Sequence, residues 1–166
     1  MTDLTDVISW SHSAMSTCET CPQQYWFQYR SGEYKYQSTA ETSYGNAVHK
    51  ALEMRGRDGV PMPTNMAQYD IFIRAVLARP GRKIFEQKLA LDKELRPVGY
   101  FAKENGKSIV WLRGSVDVLN FRDDIGVVEV FDWKTGKRKD DRDQLMLYAM
   151  MVMLHYPDVQ VVRAGY

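Results

Sequence analysis

The sequence predicts an α/β protein built on a mixed sheet. Three observations carry that expectation. Apolar residues recur at helical spacing through the first half, and from Lys83 the period changes to two. A nearly continuous apolar run at 143–156 then reads as a helix before one last strand. A chain of 166 residues suits one domain with a sizeable core. The expected division is a mainly helical part over 1–82 and a sheet core with a buried helix over 83–166.

Ser11 to Tyr29 predicts two short helices split at Cys21-Pro22, with Ser13 as an N-cap and Pro22 in the first turn of the second. Tyr25, Trp26, Phe27 and Tyr29 read as packing residues, and the polar stretch Ser31 to Thr42 as a loop. Tyr44 to Arg55 is helical, with Ala47, Val48, Ala51 and Leu52 as its apolar stripe and with His49 and Glu53 sharing a face. Arg57 to Thr64 holds a glycine and two prolines and is expected to be a loop. Met66, Tyr69, Ile73, Val76 and Leu77 then repeat at helical spacing until Arg79-Pro80-Gly81 stops the helix.

Three strands follow, at Lys83–Leu91, Ser108–Phe121 and Gly126–Thr135. Asn105-Gly106 predicts a hairpin turn ahead of the second, and Asp123-Asp124 lies in the turn before the third. Asp143 to Tyr156 is apolar almost all round, as a buried helix should be. Pro157 ends it, and Val159–Tyr166 is the last strand; no repeat or low-complexity segment interrupts this order.

The composition, 45% hydrophobic and 26% charged, is that of a soluble globular protein. A net charge of +1 does not mark a nucleic-acid binder, but acids needed for a metal would offset cations needed for phosphate. No stretch approaches the roughly 18 apolar residues of a membrane span. The first residues lack the pattern of a secretory signal or transit peptide, so a cytoplasmic location is expected. The only cysteines, Cys18 and Cys21, read as reduced thiols rather than a disulfide or a zinc site.

The chemistry is concentrated late in the chain. Asp117 stands in RGSVDVL, Asp132 and Lys134 in VFDWKTG, and Gln144 and Tyr148 in DQLMLY. An acid followed two positions later by lysine, at the end of a β-branched run, puts both side chains on one strand face. The carboxylate can hold a hard cation while the ammonium faces the anion that the cation also binds, which suits metal-assisted phosphodiester cleavage. Blander readings stand beside this one. His49 also fits a satisfied core histidine, Gln144 a helix cap, Tyr148 a core residue, and Asp132 with Lys134 a surface ion pair of little energetic value. Glu86, facing with Ile84 and Lys88, reads better as structural than as a supporting acid. The basic run Lys137, Arg138, Lys139 and Arg142 lies where DNA phosphates would pass, and Arg55, Arg57, Arg79, Arg82 and Lys83 extend that track.

In order along nearly the whole chain stand SHS followed by CPQQYWFQY, then GNAVHKALE, KIFEQKLAL, RGSVDVL, FDWKTGK and DQLMLYA. This series resembles the RecB-like branch of the PD-(D/E)XK nuclease superfamily, which includes Cas4 exonucleases and phage relatives. The resemblance implies a restriction-endonuclease-like αβββαβ core with extra N-terminal helices. It implies that His49, Asp117, Asp132 and the backbone carbonyl of Trp133 bind Mg²⁺ or Mn²⁺. Lys134 would orient the attacking water and steady the phosphate charge, with Gln144 and Tyr148 positioning water or DNA. Cluster-bearing relatives add three late cysteines to the one matching Cys21. No cysteine follows Cys21 here, so no iron–sulfur cluster of the Cys₄ kind is expected.

The implied activity is a metal-dependent deoxyribonuclease, an exonuclease acting on DNA with a free end, single- or double-stranded, in bacterial or phage recombination, replication or repair. A recombination or replication protein is a further implied partner, and no membrane is. A structure-specific or restriction-type endonuclease on the same core, and a catalytically silent DNA-binding module, stay open as alternatives.

Overall fold

The computed structural model describes residues 7–34, 37–136 and 141–166. A four-stranded mixed sheet organises them in the order β1-β4-β5-β6. β1 (Arg82–Leu91), β4 (Leu112–Arg122) and β5 (Val127–Phe131) pair antiparallel, and β6 (Val161–Gly165) runs parallel to β5. The parallel pair requires a crossover, supplied by α5 (Arg142–His155). β2 (Lys103–Glu104) and β3 (Lys107–Ser108) form a separate small hairpin. The expected helices, three strands, helix and strand are therefore all present.

α1 (His12–Thr20) and α2 (Pro22–Tyr25) meet at Cys21-Pro22 as the sequence predicts. The cap of α1, however, is Ser11 rather than Ser13. Ser11 Oγ accepts from the Ala14 N–H, and Ser13 sits inside the first turn against the Ser11 hydroxyl. Cys21 Sγ accepts the Gln24 N–H, and both cysteines are free thiols. Tyr25 is buried between Trp10 and Tyr29, whose rings stack on it at 5.0 and 5.5 Å.

α3 (Ala40–Asp58) is longer at both ends than its apolar stripe suggests. Thr39 caps it through the Thr42 N–H, and Gly59 closes it at a left-handed φ of 73°. A 3₁₀ turn, Thr64–Tyr69, leads into α4 (Asp70–Leu77). α3 packs on β1 at Gly56, where any Cβ would overlap the Phe85 ring and lie 3.0 Å from Ile73 Cδ1. Gly56→Val is expected to destabilise the fold by about 1–3 kcal/mol, the usual cost of overpacking. The check is a lower urea midpoint at an unchanged denaturant slope.

The second predicted strand is two pieces. Asn105 and Gly106 take φ of 50° and 79°, the paired left-handed conformation of a tight hairpin, and residues 109–111 separate that hairpin from β4. The third ends at Phe131, ahead of Asp132 and Lys134, because the Trp133 N–H turns to the Asp117 side chain at 2.6 Å. α5 is not buried all round. Tyr148, Met151 and Val152 face the core with Leu89, Leu91 and Val116, while Met146 and Met153 face outward, because α5 lies on one side of the sheet. Among the described residues no helix is long and apolar enough to cross a membrane.

Candidate active site

The pairing of β1 with β4 keeps one register, with Phe85 opposite Val118 and Gln87 opposite Val116. Side-chain alternation does not keep step with it. A Cβ on Gly114 would sit 2.8 Å from the Tyr148 ring of α5, and Phe121 packs edge-on against Tyr156 at the end of the same helix. Gly114 and Phe121 thus face one side of the sheet although they stand an odd number of positions apart, which alternation would put on opposite faces. On β1, Ile84 likewise joins the cluster of Leu89 and Leu91. Both strands reset their facing around the pair formed by Glu86 and Asp117. Glu86 carries the irregularity openly, with a φ of 52° in mid-strand, a conformation costly for a residue with a Cβ.

The reset gathers three donors from three elements. His49 Nδ1, on α3, donates to Asp117 Oδ1 at 3.0 Å. Ser115 Oγ donates to Glu86 Oε2 at 3.2 Å. One ligand atom each from His49, Glu86 and Asp117 lies within 4.8 Å of the others. Two carboxylates and an imidazole, partly shielded from water, make a donor set that suits a hard dication with some tolerance for a softer one. Burial chiefly, and then the Asp117 charge, push the Glu86 carboxyl above its ordinary range. Burial alone would lower His49, but its bond to Asp117 and the charges of Asp117, Asp132 and Glu86 outweigh that and raise it. The cluster holds more negative charge than its surroundings favour, and a bound cation would relieve it.

A second network adjoins the first. Lys134 Nζ lies 2.6 Å from Asp132 Oδ2 and donates to Gln144 Oε1 at 2.6 Å. Gln144 Nε2 donates to Asp132 Oδ1 at 3.2 Å and to the Tyr148 hydroxyl at 3.0 Å. The amide orientation is therefore fixed by an ammonium on one side and a carboxylate on the other. Burial, with Asp117 adding, raises the Asp132 carboxyl against the opposing pull of Lys134. Burial also raises the Tyr148 phenol, so it stays protonated. Asp141 caps α5 through the Gln144 N–H, meets His12 Nε2 at 3.1 Å and accepts from the Tyr166 hydroxyl through its carbonyl. That ties the N-terminus of α5 to α1 and to the end of β6.

His49, Asp117, Asp132, Trp133, Lys134, Gln144 and Tyr148 thus line one cleft of roughly 500 Å³. Sequence reasoning gave Glu86 a structural role, and its carboxylate instead joins His49 and Asp117. The signal was an acid inside an apolar strand; alternation grouped it rightly with Lys88 and wrongly with Ile84, because the strand resets between them. Of the basic run, Lys137, Arg138 and Lys139 lie outside the described residues, and Arg142 is exposed at the start of α5. The proposed extension of the track fares less well. Arg55 pairs with Asp70, Arg57 with Glu53 and Asp58, and Arg79 with Glu129, while Lys83 donates to the carbonyls of Arg79 and Gly81. Each of these groups already has a partner within the chain.

A family model, that of the PD-(D/E)XK nuclease superfamily, matches residues 9–166. No curated protein matches the chain.

Proposed function

This chain belongs to the PD-(D/E)XK nuclease superfamily, and from that premise we propose that it is a DNA exonuclease of the RecB-like, Cas4-like branch. Membership implies a metal-dependent nuclease with DNA as substrate. The finer reading is a deoxyribonuclease acting from a free end in phage or bacterial recombination, replication or repair. The observation that carries the catalytic part is the cleft in which the His49, Glu86 and Asp117 donors adjoin the Asp132–Lys134–Gln144 network.

In this reading His49, Glu86, Asp117 and Asp132, with the carbonyl of Trp133, hold Mg²⁺ or Mn²⁺. Such an ion activates water and polarises the phosphoryl oxygen when bound. Lys134 carries the positive charge that the phosphate needs most as its own charge grows. Gln144 keeps the ammonium directed, because its amide oxygen accepts from Lys134 while its NH₂ is held by Asp132 and Tyr148. Tyr148, kept protonated, serves as a hydrogen-bond donor rather than a base. Asp141 positions Gln144 by capping α5.

End-directed action is favoured by the branch resemblance. The test is a mixture of linear and covalently closed circular DNA with Mg²⁺. Linear DNA is expected to be degraded to short products while closed circles persist. Discrete fragments cut from the closed circle at fixed positions would favour the endonuclease alternative instead.

A further inference from the structure

We propose that a cation–aromatic platform on the open face of β1 and β4 binds unpaired nucleotides beside the bond that is cut. This rests on the nuclease reading of the adjoining cleft. Ser115 lines that cleft and lies opposite Lys88 across the ladder; Arg113 follows two residues along, opposite Ala90. Opposite and alternating residues share a sheet face. Gly114, between them, turns to Tyr148 on α5, so Lys88, Arg113 and Ser115 project from the other side.

Two aromatic rings stand over that row. Lys88 Nζ lies 5.5 Å from the Tyr100 centroid and 5.8 Å from that of Phe101, and the Arg113 guanidinium carbon lies 5.7 Å from Tyr100. The two rings meet edge to face at 4.9 Å. Phe101 is 69% exposed, which leaves most of its ring open to solvent. Among the described residues neither Lys88 nor Arg113 forms an ion pair, unlike Arg55, Arg57, Arg79 and Arg122, each matched to a carboxylate.

An exposed aromatic plane beside unmatched cations is the combination that grips single strands: the ring stacks on a base while the cations meet the phosphates. Position supports the same occupant. Arg113 is four positions before Asp117 on β4, about 13 Å at the usual strand rise. A DNA strand covers that in about four nucleotides at the duplex rise, and in fewer when extended. Duplex bases are already stacked on one another, so the platform selects a strand whose bases are unpaired.

The experiment measures binding of a fluorescent single-stranded oligodeoxynucleotide and of a blunt duplex of the same sequence, in EDTA so that no cleavage intervenes. Phe101→Ala is expected to weaken single-strand binding about tenfold or more and blunt-duplex binding much less. A series of single strands with one abasic position, moved stepwise from the end, should show one register at which wild type loses affinity and Phe101→Ala does not. Lys88→Gln and Arg113→Gln should each lower the slope of log affinity against log salt by about 0.7. Because the Phe101 side chain is exposed, its truncation leaves the melting temperature as the control for folding. Equal weakening on both DNAs, or no change on either, would overturn the platform. Wild-type hydrolysis of bis(p-nitrophenyl) phosphate with Mn²⁺ separates the two failures. If that ester is cleaved while Phe101→Ala binds DNA like wild type, the platform is wrong and the nuclease reading stands. If wild type neither cleaves the ester nor binds DNA, both fall.

Discussion

Lys134→Ala is expected to lower the rate of DNA cleavage at saturating metal by about two to three orders of magnitude, the usual effect of removing one preorganised charge donor. The loss should appear in kcat, because phosphate charge is greatest in the transition state and an interaction made mainly there raises turnover rather than affinity. Metal binding should survive. The ammonium now lies 2.6 Å from Asp132 Oδ2, and its removal frees that carboxylate rather than depriving the site of a ligand. Gln144 loses the partner of its amide oxygen but keeps Asp132 and Tyr148. Single-turnover cleavage, read beside calorimetric titration with Mn²⁺, separates the two quantities. Near-wild-type turnover would remove Lys134 from the chemistry.

Asp117→Asn should act in the opposite sense, abolishing metal binding first and activity with it. A neutral amide is a poor ligand for a hard dication. The position is also intolerant for a second reason. Asp117 accepts from His49 through one oxygen and from the Trp133 N–H through the other. An amide must turn its NH₂ toward one of those donors, at a cost of about 1–3 kcal/mol for the hydrogen bond left unmade in a buried place. Because the Trp133 contact ends β5 and sets the direction of the Asp132–Lys134 segment, the change should loosen both networks. Calorimetry should give a Mn²⁺ affinity at least about a hundredfold weaker, beyond what removing a mere supporting group costs. An affinity equal to wild type would mean that Asp117 is not a ligand.

Much of this was legible in the sequence because it depends on period and order. The order of elements brings Asp117, Asp132, Lys134, Gln144 and Tyr148 to one cleft with His49 of α3, although Asp132 and Lys134 lie past the end of β5 rather than on it. What escaped depends on broken periodicity. Glu86 was assigned to the face of Ile84 and Lys88 on the assumption that alternation holds through β1; it does share the Lys88 face, where Ser115 meets it, but Ile84 turns to the other side across the left-handed backbone at Glu86. The end of β5 was placed too late because the competitor for the Trp133 N–H is a side chain from another strand. α5 looked buried all round because its methionines are apolar wherever they point, and composition does not tell which side the sheet covers. The pairings of Arg55 with Asp70 and of Arg79 with Glu129 escaped because they join residues distant in the chain.

The central claim is that the His49–Glu86–Asp117 cluster, with Asp132 and Lys134, is a metal-dependent centre for phosphodiester hydrolysis. It is tested most directly by following an end-labelled linear DNA strand incubated with the wild-type protein, with Mg²⁺ or Mn²⁺ and with excess EDTA, beside Asp117→Asn. The account predicts short labelled products with either metal, none with EDTA, and none from Asp117→Asn. Cleavage that persists in EDTA, or that Asp117→Asn carries out at the wild-type rate, would contradict it.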